Sequence, residues 1–249
     1  MLKFVNVVKT FGDIKAVEGI SFDVAEGEFV FITGPSGSGK STMIKLILRQ
    51  ISPDSGEIYF EDHNIGELKT KEVPKMRQKM GVVFQDFKMI HERTLRENIE
   101  IALAVSKVPQ KEWKERVTHV TKLVGLDKRL DFFPSQLAGG ELQRGALARA
   151  LVSNPSLILA DEPTGNLDWK TAEEIIDLFE QINEEGKTII MATHHLGILE
   201  KHKKRVIELK EGKIVADSGA KKEEKKEAKK EEGKKESEKE DLKKDSDES

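Results

Sequence analysis

The sequence predicts an α/β fold in which helices wrap a parallel sheet, and three observations carry that prediction. The β-branched and aromatic run Phe29-Val30-Phe31-Ile32-Thr33 leads into the stretch Gly34-Pro35-Ser36-Gly37-Ser38-Gly39-Lys40-Ser41, after which Ile44, Ile47 and Leu48 recur at helical spacing. The runs Leu157-Ile158-Leu159-Ala160 and Thr188-Ile189-Ile190-Met191-Ala192 are short and continuously apolar, the composition of strands covered on both faces. Between those runs Ile175, Phe179 and Ile182 form one helix face. Strand, crossover helix and strand imply parallel pairing, with ligands at the strands' carboxyl ends.

The glycine-rich stretch has the order a phosphate cradle needs: strand, loop, helix. Its glycines let the backbone turn tightly and aim N–H groups at a β-phosphate, Lys40 reaches β and γ oxygens, and the Ser41 hydroxyl suits Mg²⁺. A helix opening at Ser41 adds its positive N-terminal dipole. The run from Leu157 ends in Asp161-Glu162, so two carboxylates emerge where such a cradle lies. Asp161 is placed to hold a water on Mg²⁺, and Glu162 to polarise a water in line with the γ-phosphate.

The body divides into a strand-rich stretch to about residue 84, a helix-rich stretch to about 155, and an alternating stretch ending near Gly219. In the middle stretch Ile99, Leu103 and Val105, then Val117, Val120, Leu123 and Val124, recur at near-helical spacing, with Pro109 breaking the two helices apart. Residues 219–249 read as a Lys/Glu tail whose one large apolar residue, Leu242, cannot offset the entropy of ordering it. Opposite charges at helical spacing, as in Glu223 and Lys226, leave a fluctuating helix, or contact with a partner or acidic headgroups, beside the plain solvated tail.

Bulk composition excludes several classes. A net charge of −3 gives no basic excess for nucleic acid. The chain has no cysteine, so disulfides and thiolate metal sites are unavailable, which fits a cytoplasmic setting. No apolar run approaches the ~20 residues that span a bilayer, so membrane contact is expected through a partner.

Further motifs then resemble the ATP-binding cassette family, in that family's order. Gln85 follows Gly81-Val82-Val83-Phe84 like the Q-loop glutamine, Leu137-Ala138-Gly139-Gly140-Glu141 resembles the signature motif, Gly165-Asn166-Leu167-Asp168 the D-loop, and His194 the switch histidine. The resemblance covers residues 1–218. It implies a P-loop NTPase with a RecA-like core, an antiparallel β subdomain and an inserted α-helical subdomain at about 85–155. It also implies ATP and Mg²⁺ as cofactors, with Lys40, Gln85, Glu162 and His194 catalytic and Ser41, Gln85 and Asp161 at the metal. Nucleotide contacts are expected from Phe11, Val17, Gly34, Pro35, Ser36, Gly37, Ser38, Gly39, Lys40, Ser41, Thr42, Gln85 and His194. Phe11, the expected adenine stack, also suits a core position at a strand end. Ala138, Gly139, Gly140, Glu141 and Asp168 are expected to serve the ATP of a second copy in a head-to-tail homodimer.

Within the family, Val83-Phe84-Gln85-Asp86-Phe87 and Ala160-Asp161-Glu162-Pro163-Thr164 look most like the cell-division members. Lipoprotein-release and macrolide-export ATPases, and an ATP-gated assembly module that hydrolyses slowly or not at all, are the alternatives. The division resemblance implies a chain on the inner face of the cell membrane, bound to an integral membrane partner. Phe87, Met89, Ile90 and Leu95 are candidates for that docking site, and equally for packed core. His195 stands where close relatives usually carry Asp and is read as structural. Ala138 replaces the signature's usual serine and so removes one charge-assisted hydrogen bond, ~1.5 to 3 kcal/mol, to the γ-phosphate across the dimer. A weakened ATPase is the expectation, and Ala138→Ser should raise the steady-state rate of phosphate release; an unchanged or lower rate refutes this account.

Overall fold

A computed structural model describes residues 1–219, and the tail from residue 220 lies outside the described residues. The chain opens with a long antiparallel hairpin, β1 (Leu2–Phe11) and β2 (Ile14–Val24), which turns at Gly12-Asp13. With β4 (Ser55–Phe60) and β5 (His63–Asn64) it makes a four-stranded sheet in the order β2-β1-β4-β5. The second sheet has six strands: β3 (Phe29–Thr33), β6 (Met80–Phe84), β7 (Leu157–Asp161), β8 (Thr188–Ala192), β9 (Arg205–Lys210) and β10 (Lys213–Asp217). Its order is β10-β9-β3-β8-β7-β6, parallel throughout except for the closing β9-β10 hairpin.

The continuously apolar strands are explained by cover on both sides. Along β3 the side chains of Phe29 and Phe31 enter one core and those of Val30 and Ile32 the other, following the two-residue strand period. The same division holds for Ile158 and Ala160 against Leu157 and Leu159 on β7, and for Ile189 and Met191 against Ile190 and Ala192 on β8. One face packs under the first sheet and α1 (Lys40–Ile47). The other packs under α3 (Leu95–Val105), α4 (Gln110–Leu123), α5 (Gly139–Leu151) and α6 (Trp169–Glu184). A short α2 (Val73–Gln78) precedes β6, and α7 (Leu196–Lys201) follows β8.

The helix predicted to open at Ser41 opens one residue earlier, because Gly39 at φ 109° acts as its N-cap. Val105, predicted on the buried stripe of α3, is 66% exposed at that helix's last turn, whereas Ile99 and Leu103 are wholly buried. The loop between β6 and α3 is fastened from two helices. Asn98 of α3 accepts from the Ile90 N–H at 2.8 Å and donates to the carbonyls of Ile90, Arg93 and Thr94. The Arg149 guanidinium of α5 donates to the carbonyls of Phe87 (2.7 Å) and Lys88 (2.6 Å). Those bonds hold Phe87 and Lys88 in the left-handed region, at φ 59° and 49°.

Phe31 is fully buried in the middle of the sheet and its ring lies 4.9 Å from that of Phe29. Phe31→Ala should therefore cost about 3–5 kcal/mol of unfolding free energy, read from the urea midpoint without nucleotide.

Candidate active site

Strand register brings the site together. Ile32 pairs beside Ala192, Ala192 beside Asp161 and Asp161 beside Phe84, so β3, β8, β7 and β6 end level. The residues that follow them, from Gly34, His194, Glu162 and Gln85, therefore converge on one rim. There Gln85, Glu162 and His194 line a cavity of about 510 Å³ with Pro35 to Thr42 and Ala16, while Gly34 lies outside that lining.

Two backbone positions make the loop possible. Gly34 has φ 143°, and a Cβ there would lie 2.1 Å from the Leu209 carbonyl oxygen. A Cβ on Gly39 would lie 2.4 Å from the Ala16 carbonyl oxygen. The loop is thus pressed against two strands that glycine alone lets it approach.

Inside the cavity the charged groups form a short relay. The Lys40 ammonium is buried and donates to the carbonyls of Gly34 (2.7 Å) and Pro35 (3.2 Å), and it lies 3.7 Å from Glu162 Oε1. Glu162 Oε2 is 2.9 Å from His194 Nδ1 and accepts the His194 backbone N–H at 3.3 Å. Glu162 itself is held at φ 50°, a conformation that costs a non-glycine residue energy and is retained where the surroundings enforce it. Ser41 Oγ donates to Asp161 Oδ1 at 3.1 Å. Burial pushes the Asp161 carboxyl above its ordinary range; the Ser41 hydrogen bond opposes this, Glu162 adds to it and Lys40 opposes it.

This donor set fits ATP with Mg²⁺. A carboxylate and a hydroxyl side by side suit a hard cation, and a dication would relieve the buried negative charge of Asp161. Lys40 is already held at the loop by carbonyl oxygens that phosphate oxygens can replace. Ser41 and Asp161 would hold Mg²⁺, which when bound would supply charge neutralisation for the phosphates. Glu162 would then be placed to accept a water proton, and His194 holds that carboxylate at Oε2, the oxygen turned from Lys40. Gln85 joins the rim with its amide nitrogen donating to Asn166 Oδ1 at 3.1 Å, while Asn166 Nδ2 donates to the Gln85 carbonyl at 3.0 Å. That bond commits the amide nitrogen to Asn166, so a metal at the rim would meet the amide oxygen.

A second concavity, about 330 Å³, shares no lining residue with the first. Ala138, Gly139, Gly140, Glu141, Asn166 and Asp168 contribute to it.

Several expected site residues have other work. Val17 is fully buried in the core behind Gly39, so it supports the loop and does not face a nucleotide. Glu141 caps α5: one oxygen accepts the Ala138 N–H at 3.0 Å and the other accepts from Arg129 at 2.9 Å, and these bonds hold its carboxyl below the ordinary range. A capped carboxylate orients the glycine pair and does not itself bind an anion. Asp168 likewise caps α6, accepting from Thr171 N at 3.1 Å and Thr171 Oγ1 at 2.6 Å, which lowers its pKa. Phe11 lies outside the lining of the main cavity and is 49% exposed, so its core alternative is excluded. Of the docking candidates, Leu95 and Met89 are buried against Gly145, where a Cβ would meet them at 2.7 and 2.9 Å; they are core. Ala16 and Asn166 were not singled out from sequence, since a small strand residue carries no signal and Asn166 shows its role only once β6 and the loop after β7 are adjacent.

A family model for ABC transporters matches residues 17–165. The chain belongs to that family. The cell division ATP-binding protein FtsE of Bacillus subtilis is 45% identical over 218 residues, covering 87% of this chain and 96% of its own. FtsE of Escherichia coli is 40% identical over 215 residues, covering 86% and 97%. Among solved structures, the dimeric post-hydrolysis state of the ATP-binding cassette MJ0796 bound to ADP and Pi superposes with a TM-score of 0.79 at 38% identity, over 88% of this chain and 98% of that one. The family places a P-loop NTPase core here, and the chain is an ATPase that takes ATP with Mg²⁺.

Glu162→Gln should lower ATP turnover by about 10²-fold or more while the Kd for MgATP stays within about threefold, measured by phosphate release and nucleotide titration.

Proposed function

We propose that this ABC ATPase is the FtsE-like subunit of a cell-division complex, dimerising on ATP and driving an integral membrane partner of the FtsX type in septal cell-wall remodelling. The observation that carries the dimer is the separation of the two concavities. The cavity around Lys40 has the groups suited to phosphate and metal, and the concavity at Gly139-Gly140 opens at the N-terminus of α5. Two copies placed head to tail let each cavity receive the other chain's glycine pair, and the dimeric MJ0796 cassettes support that geometry. In this reading ATP favours the closed pair and hydrolysis releases it. Phe11 stacks on the adenine from the hairpin whose Ala16 lines the cavity. The cassette runs over residues 1–218, with residues 85–155 as its helical lobe.

The names of the relatives support the division role, and the groove beside β6 supports the membrane partner. That groove, about 390 Å³, is lined by Pro74, Met80, Ile101, Ala102 and Val105 and is bordered by Arg149. Ile90, Ile101 and Val105 are the exposed apolar residues around it and at the adjoining loop. Because Met89 and Leu95 are buried in the core, the docking surface consists of half-buried Phe87, exposed Ile90 and this groove. Among the described residues no helix is long and apolar enough to cross a membrane, so the partner provides the peripheral attachment in this reading.

Pull-down from solubilised membranes tests the assignment. The wild-type chain should capture an FtsX-like membrane protein, and Ile90→Glu and Val105→Glu should lose it with ATP turnover of the isolated chain within about twofold, since surface substitutions are nearly neutral. Capture of a lipoprotein-release or export permease instead overturns the division role. In size exclusion with MgATP, Glu162→Gln should elute as a dimer; persistent monomers at saturation count against the shared sites.

A further inference from the structure

We propose that Trp169 and His195 form an aromatic strut that positions the switch histidine, His194, from the first turn of α6. The proposal rests on the reading of Glu162 and His194 as the hydrolytic pair. Three successive residues after β8 are fastened in three directions. The Thr193 N–H donates to the Ile32 carbonyl of β3 at 3.0 Å, His194 engages Glu162, and the His195 ring packs on the Trp169 indole with centroids 4.9 Å apart and planes tilted by 44°. The His195 N–H donates to Thr193 Oγ1 at 3.1 Å, which closes the turn between the first and third anchors.

The indole is 45% exposed, and its covered side has a second contact besides the His195 ring. It lies over the first turn of α7 at Gly197, where a Cβ would come 2.7 Å from Cη2 and 3.1 Å from Cζ3. Any larger residue at 197 has to displace the ring. Further along, α7 and the residue after it are tied to α6 by Lys201 to Glu173 at 2.9 Å and His202 to Glu180 at 3.0 Å. The segment after β8 is therefore referenced to α6 and not to the sheet alone. Trp169 is the residue next to Asp168, whose carboxylate caps α6 and lines the second concavity. A shift of the α6 start reaches His194 through one ring contact, and through it the far oxygen of Glu162.

His195 and Trp169 touch no nucleotide in this account; they are positioning residues, so their loss should slow the reaction step without weakening ATP binding. In the full chain with MgATP, Trp169→Ala and His195→Ala should each lower kcat by roughly threefold to tenfold, the range expected for losing one aromatic pair, with KM within about twofold. The double variant should be no slower than the worse single one, because both remove the same contact. His195→Phe, which keeps a ring on the indole, should retain most of the rate. Gly197→Ala should reproduce the kcat loss with both rings present, and it answers the question if Trp169→Ala does not fold. With Trp113→Phe as background, Trp169 emission should change on His195→Ala. Unchanged kcat in the alanine variants, losses that multiply in the double variant, or a rise in KM alone overturns the proposal. A wild-type chain that turns over no ATP overturns the underlying hydrolytic reading and the proposal with it, whereas active wild type with equally active variants overturns the proposal alone.

Discussion

Burial of a parallel sheet on both faces is the constraint from which the site follows. Because every residue of β3 and β8 is covered, a slip of register by one residue would exchange the two cores, placing Phe31 where Ile32 packs. That penalty locks the strands in step, and in step they end together. The phosphate loop, Gln85, Glu162 and His194 are thus brought to one rim by hydrophobic packing in which none of them takes part. The chemistry is carried by polar residues, but their placement is set by apolar ones.

Electrostatics at the rim is arranged around groups that are already engaged. Lys40 rests on two carbonyls, Ser41 on Asp161, and Glu162 on His194. Each contact is one that MgATP can replace or extend, so little reorganisation accompanies binding. The site is pre-organised on its own side, and the glycine pair that would complete it in the proposed dimer lines a separate concavity.

The strands and the loop were legible because their signals are local: a glycine at a fixed offset, or five apolar residues in a row. The crossover helix was legible from Ile175, Phe179 and Ile182, all buried as the spacing implies. The failures share one cause, that residue type does not report direction. Leu95 and Ile90 are equally apolar, yet one is 1% exposed and the other 41%, because Asn98 binds the backbone of Ile90, Arg93 and Thr94 and so folds the loop between them back on α3. Glu141 and Asp168 are expected from their motifs to serve a second copy's ATP, and both line the second concavity, but their carboxylates are also engaged locally as helix caps, which the motif alone does not report. Val17 lies within reach of the loop in sequence logic and behind it in space. The charged tail, read from its composition, lies outside the described residues.

Helix α5 has a consequence beyond packing. Its first turn carries Gly139 and Gly140, and near its other end Arg149 grips the carbonyls of Phe87 and Lys88. Thirteen residues of helix make a rod about 20 Å long. A rod has one orientation at a time, so tilting it to bring the glycine pair toward a neighbour's nucleotide also drags the loop beside the apolar groove. In the proposed complex, nucleotide closure and partner movement would then share a single mechanical coordinate.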